Sequence, residues 1–265
     1  MAKLSAIAVA GSGDIARYLA EEFVRDGQHD FHIISRTERP WFSELGVQFH
    51  LVSSYSKENM VELFDKFEIS TVISTLTAGD APAFVSLHQD ILDACHQSSK
   101  CKRLIPSDFI GNVERFPDLP RRHADSRHAF RKILAQQSEV EWTTTSARDL
   151  SKAVVQLVKH PKWDRYTYVY GETGTWLEVI PKVEKLFNIK IEQRTPISRE
   201  EIDKIVEDGS DPEKQYIASI DEWTVAGAGL VPMDVAEKQR AKFFGDVKFR
   251  TIEEFIREAQ VTEFV

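Results

Sequence analysis

The strongest constraint on this chain is an apolar run broken by two closely spaced glycines near its start. Residues 6–10 (Ala-Ile-Ala-Val-Ala) lead into Gly11-Ser12-Gly13-Asp14-Ile15-Ala16. Ile15, Leu19 and Phe23 then recur at helical spacing, with Arg17, Glu21 and Glu22 on the other face. The order reads as strand, glycine turn, helix. Gly11 permits a tight turn, Gly13 lets the main chain approach a pyrophosphate, and the small Ala16 lets the helix pack close to the strand. The helix N-terminus would then present unpaired N–H groups and a positive dipole end to the phosphates.

A second apolar stretch, residues 31–35, ends in Arg36-Thr37-Glu38-Arg39. An acid at this place would bind the ribose hydroxyls of NAD, whereas an arginine suits a 2′-phosphate, so Arg36 favours NADP(H). The plainer reading of Arg36 is a solvated residue at a strand end.

Residues 47–52 alternate as a third strand, and residues 57–67 read as a helix with Met60, Val61, Phe64 and Phe67 inward. The β-branched run 70–76 predicts a fourth strand that stops at the loop beginning Thr77-Ala78-Gly79. Residues 84–96 are spaced as a helix, and residues 102–109 (Lys-Arg-Leu-Ile-Pro-Ser-Asp-Phe) close the unit as a short strand and its mouth loop. Strands alternating with helices imply right-handed crossovers and a parallel sheet, so the expected class is α/β, a Rossmann-type doubly wound sheet. Ligands of such sheets bind at the carboxyl ends of the strands. The candidate cofactor contacts are therefore Gly11, Ser12, Gly13, Asp14, Ile15, Arg36, Thr75, Leu76, Thr77, Ser107, Asp108 and Phe109.

Beyond this unit, residues 141–146 read as the next strand and pass directly into a helix at Arg148. Residues 166–170 predict a strand, 176–187 an amphipathic helix with a capping box from Thr175 and Glu178, and 190–193 a short strand. Ser198 and Glu201 form a second capping box, the acidic stretch 207–213 is a loop, and Ala226-Gly227-Ala228-Gly229 reads as a flexible connection near the cleft. The expected organisation is an NAD(P)-binding domain over residues 1–146 and a small α/β C-terminal substrate part over 147–265, able to return strands or helices to the first domain.

Together, Gly11 to Ala16, Arg36, Val72-Ile73-Ser74-Thr75-Leu76, Arg103 to Phe109, Val140-Glu141-Trp142-Thr143 and Phe249-Arg250-Thr251-Ile252-Glu253-Glu254-Phe255 resemble the NmrA-like and isoflavone-reductase-like family of atypical short-chain dehydrogenases. The resemblance implies NADP(H) on a Rossmann domain and a small, often aromatic, substrate held by the C-terminal part. Some members instead sense the cofactor and regulate transcription.

Three departures from the family pattern stand out. Its glycine turn usually reads Gly-Gly-Thr-Gly-aromatic-Ile-Gly, whereas this chain has Ala10, Asp14 and Ala16 at the first, aromatic and last places, and an acid at Asp14 opposes the phosphates unless it points to solvent. Reductases of the family carry a lysine as general acid or base where the matching residue here is Arg127. Helical spacing puts His123, Arg127, Phe130 and Leu134 on one face. Arginine stays protonated and cannot exchange a proton as lysine does, but it can stabilise an oxyanion, and His123 is the nearest group able to titrate near neutrality. Arg127 and His123 are thus the candidate catalytic residues, the alternative being a solvated basic helix face. The third departure is that relatives place a longer insert between the strand near Thr143 and the helix at Arg148, so the pocket here lacks part of a wall.

Other chemistries find no support in the sequence. None of the six tyrosines has a lysine four residues later, the pair that the ordinary short-chain dehydrogenase relay needs. There is no nucleophile elbow and no Walker A lysine, and the eight histidines form no zinc-like motif, so no metal is expected. A net charge of −8 argues against a nucleic-acid surface, and no apolar run suggests a membrane span. The expected setting is cytoplasmic, with Cys95 and Cys101 as free thiols. The leading expectation is NADPH-dependent reduction of a small organic substrate. A non-redox isomerase or rearrangement enzyme, and an NADP(H)-sensing regulatory protein, are the alternatives.

Overall fold

The structure is a computed structural model that describes residues 3–78, 80–109, 112, 114–119, 121, 127, 130, 142–144, 147–174, 176–191 and 197–261. Five parallel strands form the main sheet: β1 (Ala6–Ala10), β2 (Asp30–Ser35), β3 (Gln48–Leu51), β4 (Ile69–Ser74) and β5 (Arg103–Ile105), in the order β3-β2-β1-β4-β5. Helices α1 (Asp14–Asp26), α2 (Pro40–Leu45), α3 (Lys57–Lys66) and α4 (Ala81–Gln97) fill the connections. The α/β doubly wound class is therefore the observed one.

Every residue of β1 is buried, as befits a central parallel strand covered on both faces. Its side chains alternate: Ala6, Ala8 and Ala10 join Phe64, Val72, Ile91 and Leu92 on one face. Ile7 and Val9 join Leu19, Phe23, Ile33 and Phe42 on the other. Small alanines on the first face leave room for the large side chains of α3 and α4.

Helix ends follow from local chemistry. Ser56 accepts the Asn59 amide and Asp80 accepts the Ala83 amide at the starts of α3 and α4, while Gly27 and Gly46 adopt left-handed conformations that stop α1 and α2. Helix α2 was not anticipated, because its few residues give too short a pattern to show a period.

Strand β6 (Trp142–Thr144) pairs in parallel with β7 (Tyr166–Tyr168) in a separate two-stranded sheet. Between them α5 (Ala147–Leu157) returns to the main sheet, where Leu150, Val154 and Val155 pack with Ala16, Leu19 and Phe23 of α1. Helices α6 (Trp176–Phe187), α7 (Arg199–Asp208), α8 (Pro212–Val225), α9 (Met233–Phe243) and α10 (Ile252–Val261) follow among the described residues.

The capping box of α7 forms as expected, with Ser198 Oγ accepting the Glu201 amide and Glu201 accepting the Ser198 amide. The expected strand from Lys190 does not begin there, since Lys190 and Ile191 lack strand pairing, and residues 192–196 lie outside the described residues, as does Thr175. The loop expected over 207–213 is shorter, because α7 runs to Asp208, Gly209 ends it in the left-handed region, and Pro212 already opens α8. The Ala226–Gly229 connection is tied to the segment after β5, with the Asn112 amide donating to Ala228 O at 2.7 Å.

Candidate active site

The turn after β1 sits where the connections of the sheet diverge to opposite sides, between β1 and β4. Gly11 has φ +124°, and a Cβ added there would stand 2.3 Å from Thr75 Oγ1. That hydroxyl donates to Ala10 O at 3.1 Å, and the Thr75 amide donates to the same oxygen at 2.9 Å. Gly11 is therefore required by conformation and by close approach at once. Gly13 differs: its backbone is extended, no side chain caps α1, and a Cβ there would meet nothing within 4 Å. The start of α1 is thus uncapped by any side chain and has open space beside Gly13, an arrangement that suits an anion. Ser12 and Ile15 flank this turn half-buried, and Asp14 is exposed to solvent.

Arg36 follows β2 and is exposed. Its guanidinium lies over the ring of Tyr55, 5.7 Å from the centroid. Ser35 fixes the turn beneath it, donating to Thr37 O at 2.7 Å and accepting the Thr37 amide at 3.1 Å. Burial pushes the Tyr55 phenol up, an effect that the neighbouring Arg36 backbone N–H and charge only partly offset. Tyr55 was not singled out in the sequence, and its place after the third strand gives no spacing signal.

On the other side of the turn, Arg127 has helical backbone and its side chain is only 13% exposed. Its Nε lies 3.7 Å from Asp108 Oδ1, and its guanidinium stands 5.0 Å from the centre of the Phe84 ring. Phe130, three residues on, packs against Phe84 and His88, so Arg127 and Phe130 share the inward face that their spacing predicted. The solvated-face reading therefore does not hold for Arg127. His123 lies outside the described residues. Ser107 and Asp108 are buried, and Phe109 packs against the cluster containing Ile105 and Leu150. A guanidinium balanced by a buried carboxylate is a permanent, oriented cation: it can hold an oxyanion but not trade a proton.

Beneath this pair is a polar chain that sequence reading missed. His88 is fully buried at the foot of the Phe84 ring, with Nδ1 3.0 Å from Phe84 O and Nε2 3.0 Å from Ser74 Oγ. Because a carbonyl only accepts, Nδ1 carries the proton and Nε2 accepts from the Ser74 hydroxyl. Ser74 Oγ in turn accepts the Leu76 amide at 3.4 Å. Burial lowers the His88 pKa to about 4, and the nearby Arg127 charge pushes the same way against the raising effect of Phe84 O. A neutral histidine thus fixes the start of the Leu76–Thr77 segment, where Leu76 is buried and Thr77 exposed.

The candidate residues therefore follow the strand order along one sheet edge: Arg36 after β2, the glycine turn after β1, Thr75 to Thr77 after β4, and Ser107 to Phe109 after β5. Three strand spacings separate the ends, about 14 Å, a distance that suits an extended dinucleotide. Elsewhere, a hollow of about 450 Å³ lined by Gly171, Arg240, Phe244 and Phe249 contains none of these residues. Among the described residues no group of three His, Cys, Asp or Glu side chains could hold a metal, and no helix is long and apolar enough to cross a membrane. Cys95 and Cys101 are free and buried.

No protein-family model matches the sequence. The chain is 26% identical to oxidoreductase swnR of Arthroderma benhamiae, over 94% of this chain and 95% of the relative. Among solved structures it is similar to leucoanthocyanidin reductase of Vitis vinifera in binary complex with NADPH, with a TM-score of 0.79, 14% identity, and coverage of 97% of this chain and 100% of that one. It is also similar to the pinoresinol-lariciresinol and phenylcoumaran benzylic ether reductases, with a TM-score of 0.75, 14% identity, and coverage of 97% and 99%. The fold over nearly the whole chain and the oxidoreductase relatives fit the NmrA-like and isoflavone-reductase-like family that the sequence resembles.

Proposed function

We propose that this protein is an NADPH-dependent reductase of a small organic substrate. The observation that carries the reading is the open space above Gly13, at the uncapped start of α1, in line with the exposed Arg36. The residues fit the dinucleotide: Gly11, Ser12, Gly13 and Ile15 would cradle the pyrophosphate, and Arg36 would bind the 2′-phosphate. Thr75, Leu76 and Thr77 would line its path, and the nicotinamide end would reach the Ser107–Phe109 loop. When bound, the cofactor supplies a hydride. Asp14, being exposed, can turn to water and leave the phosphates unopposed.

The full-length similarity to an oxidoreductase and the fold shared with reductases support the redox reading. Arg127 would hold the oxygen of a carbonyl-like substrate beside Asp108 and stabilise negative charge as it develops there. Its inability to exchange a proton supports a second reading, a rearrangement in which Arg127 polarises an oxygen while the cofactor is unchanged.

Titration with NADPH and NADH tests the proposal. NADPH should bind more tightly, and Arg36→Ala should remove most of that preference, ~1–3 kcal/mol for a charge-assisted contact. Equal dissociation constants in the wild type would refute the cofactor assignment. Product formation without loss of NADPH would refute the reductase and favour the rearrangement.

A further inference from the structure

Arg36 is exposed, yet the ring beneath it is not: Tyr55 is 5% exposed and belongs to the core cluster with Ile34, Met60 and Phe64. The turn that carries Arg36 is braced on both sides. Ser35 Oγ closes it through Thr37, and Ser35 O accepts the Val52 amide at 3.0 Å, tying the end of β2 to the segment that leads to Tyr55. A flexible arginine that must be immobilised on binding loses affinity through ordering, whereas one already lying on a fixed aromatic face loses less.

We propose that Tyr55 is a specificity-positioning residue, whose buried ring is the platform that pre-sets the Arg36 guanidinium for the 2′-phosphate of the cofactor. The inference rests on the dinucleotide site proposed above. Tyr55 does not itself touch the phosphate; it acts through Arg36. Its effect therefore belongs to NADPH alone, because NADH has no group at that place.

The test is a set of dissociation constants for NADPH and NADH, measured on the wild type and on Tyr55→Leu, Tyr55→Phe, Arg36→Ala and Arg36→Ala/Tyr55→Leu. Tyr55→Leu keeps an apolar side chain in the core but removes the platform. It should weaken NADPH by ~3–10-fold, the scale of ordering one long side chain, and leave NADH within about twofold. Tyr55→Phe keeps the ring and should retain most of the preference. In the Arg36→Ala background, Tyr55→Leu should change neither constant, since the two residues act as one unit. The proposal is overturned if Tyr55→Leu keeps the wild-type NADPH-to-NADH ratio, or if both cofactors weaken equally. Should Tyr55→Leu not fold, a Tyr55→Phe variant with the selectivity of Arg36→Ala would overturn it as well. A wild type with no preference at all would instead defeat the cofactor assignment itself, a distinct result read before any Tyr55 variant.

Discussion

Gly11 and Gly13 are two residues apart, and the structure gives their substitution opposite consequences. Gly11→Ala forces an L side chain to φ +124° and drives a Cβ to 2.3 Å from Thr75 Oγ1. Backbone strain of this kind costs ~1–3 kcal/mol. Displacing Thr75 also sacrifices its hydroxyl bond to Ala10 O, a net loss of ~0.5–1.5 kcal/mol. Together these come to about 2–4 kcal/mol, which for a chain of this size lowers the melting temperature by roughly 5–15 °C. At Gly13 a Cβ meets no atom within 4 Å and the backbone is already extended, φ −81°, so Gly13→Val is accommodated without backbone strain. Its structural cost is that of an apolar residue at a helix N-cap, about 0.5–1 kcal/mol. The same side chain would fill the space above the α1 amides, so NADPH affinity should fall by ~100-fold or more. Thermal melts followed by circular dichroism, paired with NADPH titrations by nicotinamide fluorescence, separate the two effects. The double variant Gly11→Ala/Thr75→Ala should recover the part of the loss due to the clash and leave the part due to φ. The reasoning fails if Gly13→Val melts as low as Gly11→Ala, or if it binds NADPH like the wild type.

Arg127→Ala should lower turnover by ~10²-fold or more, as for the loss of an oxyanion donor, and Arg127→Lys should distinguish a needed guanidinium from a needed charge. Lysine restoring full turnover would show that the planar fork has no task of its own. His88 sets an acid limit on stability. Its folded pKa of about 4 lies below the ordinary 6.5, so its contribution is full above pH 6.5 and is lost as pH falls toward 4, by about 3 kcal/mol. Urea unfolding across this window should show a slope that His88→Gln flattens; an unchanged slope would contradict the assignment. Finally, Asp149 at the start of α5 is buried against Arg250, which donates from its amide at 3.0 Å and from Nη2 at 2.8 Å. Burial pushes the Asp149 carboxyl up, but the Arg250 and Lys152 bonds outweigh it, so its folded pKa is lowered. That stabilisation is present above the ordinary carboxylate range and lost as pH falls through the lowered value. Arg250→Ala should therefore cost ~3 kcal/mol at neutral pH, with Lys152 still beside the carboxylate, and less in acid. Equal losses at both pH values would exclude the ion pair as the cause.

The sheet was legible in the sequence because its signals are local. β1 is a continuous apolar run, the glycines follow it directly, and each later strand begins and ends within a few residues of where its β-branched or alternating pattern does. Strand, turn and helix order also fixed which edge of the sheet would carry Gly11, Thr75 and Asp108, since connection handedness leaves one solution. The capping box at Ser198 and Glu201 was visible for the same reason: both partners lie within one turn.

What only the tertiary structure decided are the contacts between residues far apart in the chain. Spacing placed Arg127 on the face with Phe130, but that its charge meets Asp108 and lies over Phe84 depends on how α4 and the loop after β5 come together. Tyr55 reaches Arg36 because β2 and β3 bring their carboxyl ends into register, whereas His88 reaches Ser74 because α4 lies back against the end of β4. The return of α5 to pack on α1 was likewise a matter of core area, which no local pattern encodes. Local sequence determined where the backbone turns and which edge of the sheet carries the glycine turn. Long-range packing determined which charges are buried, balanced and aimed, because burial and pairing depend on neighbours that the sequence separates by tens of residues.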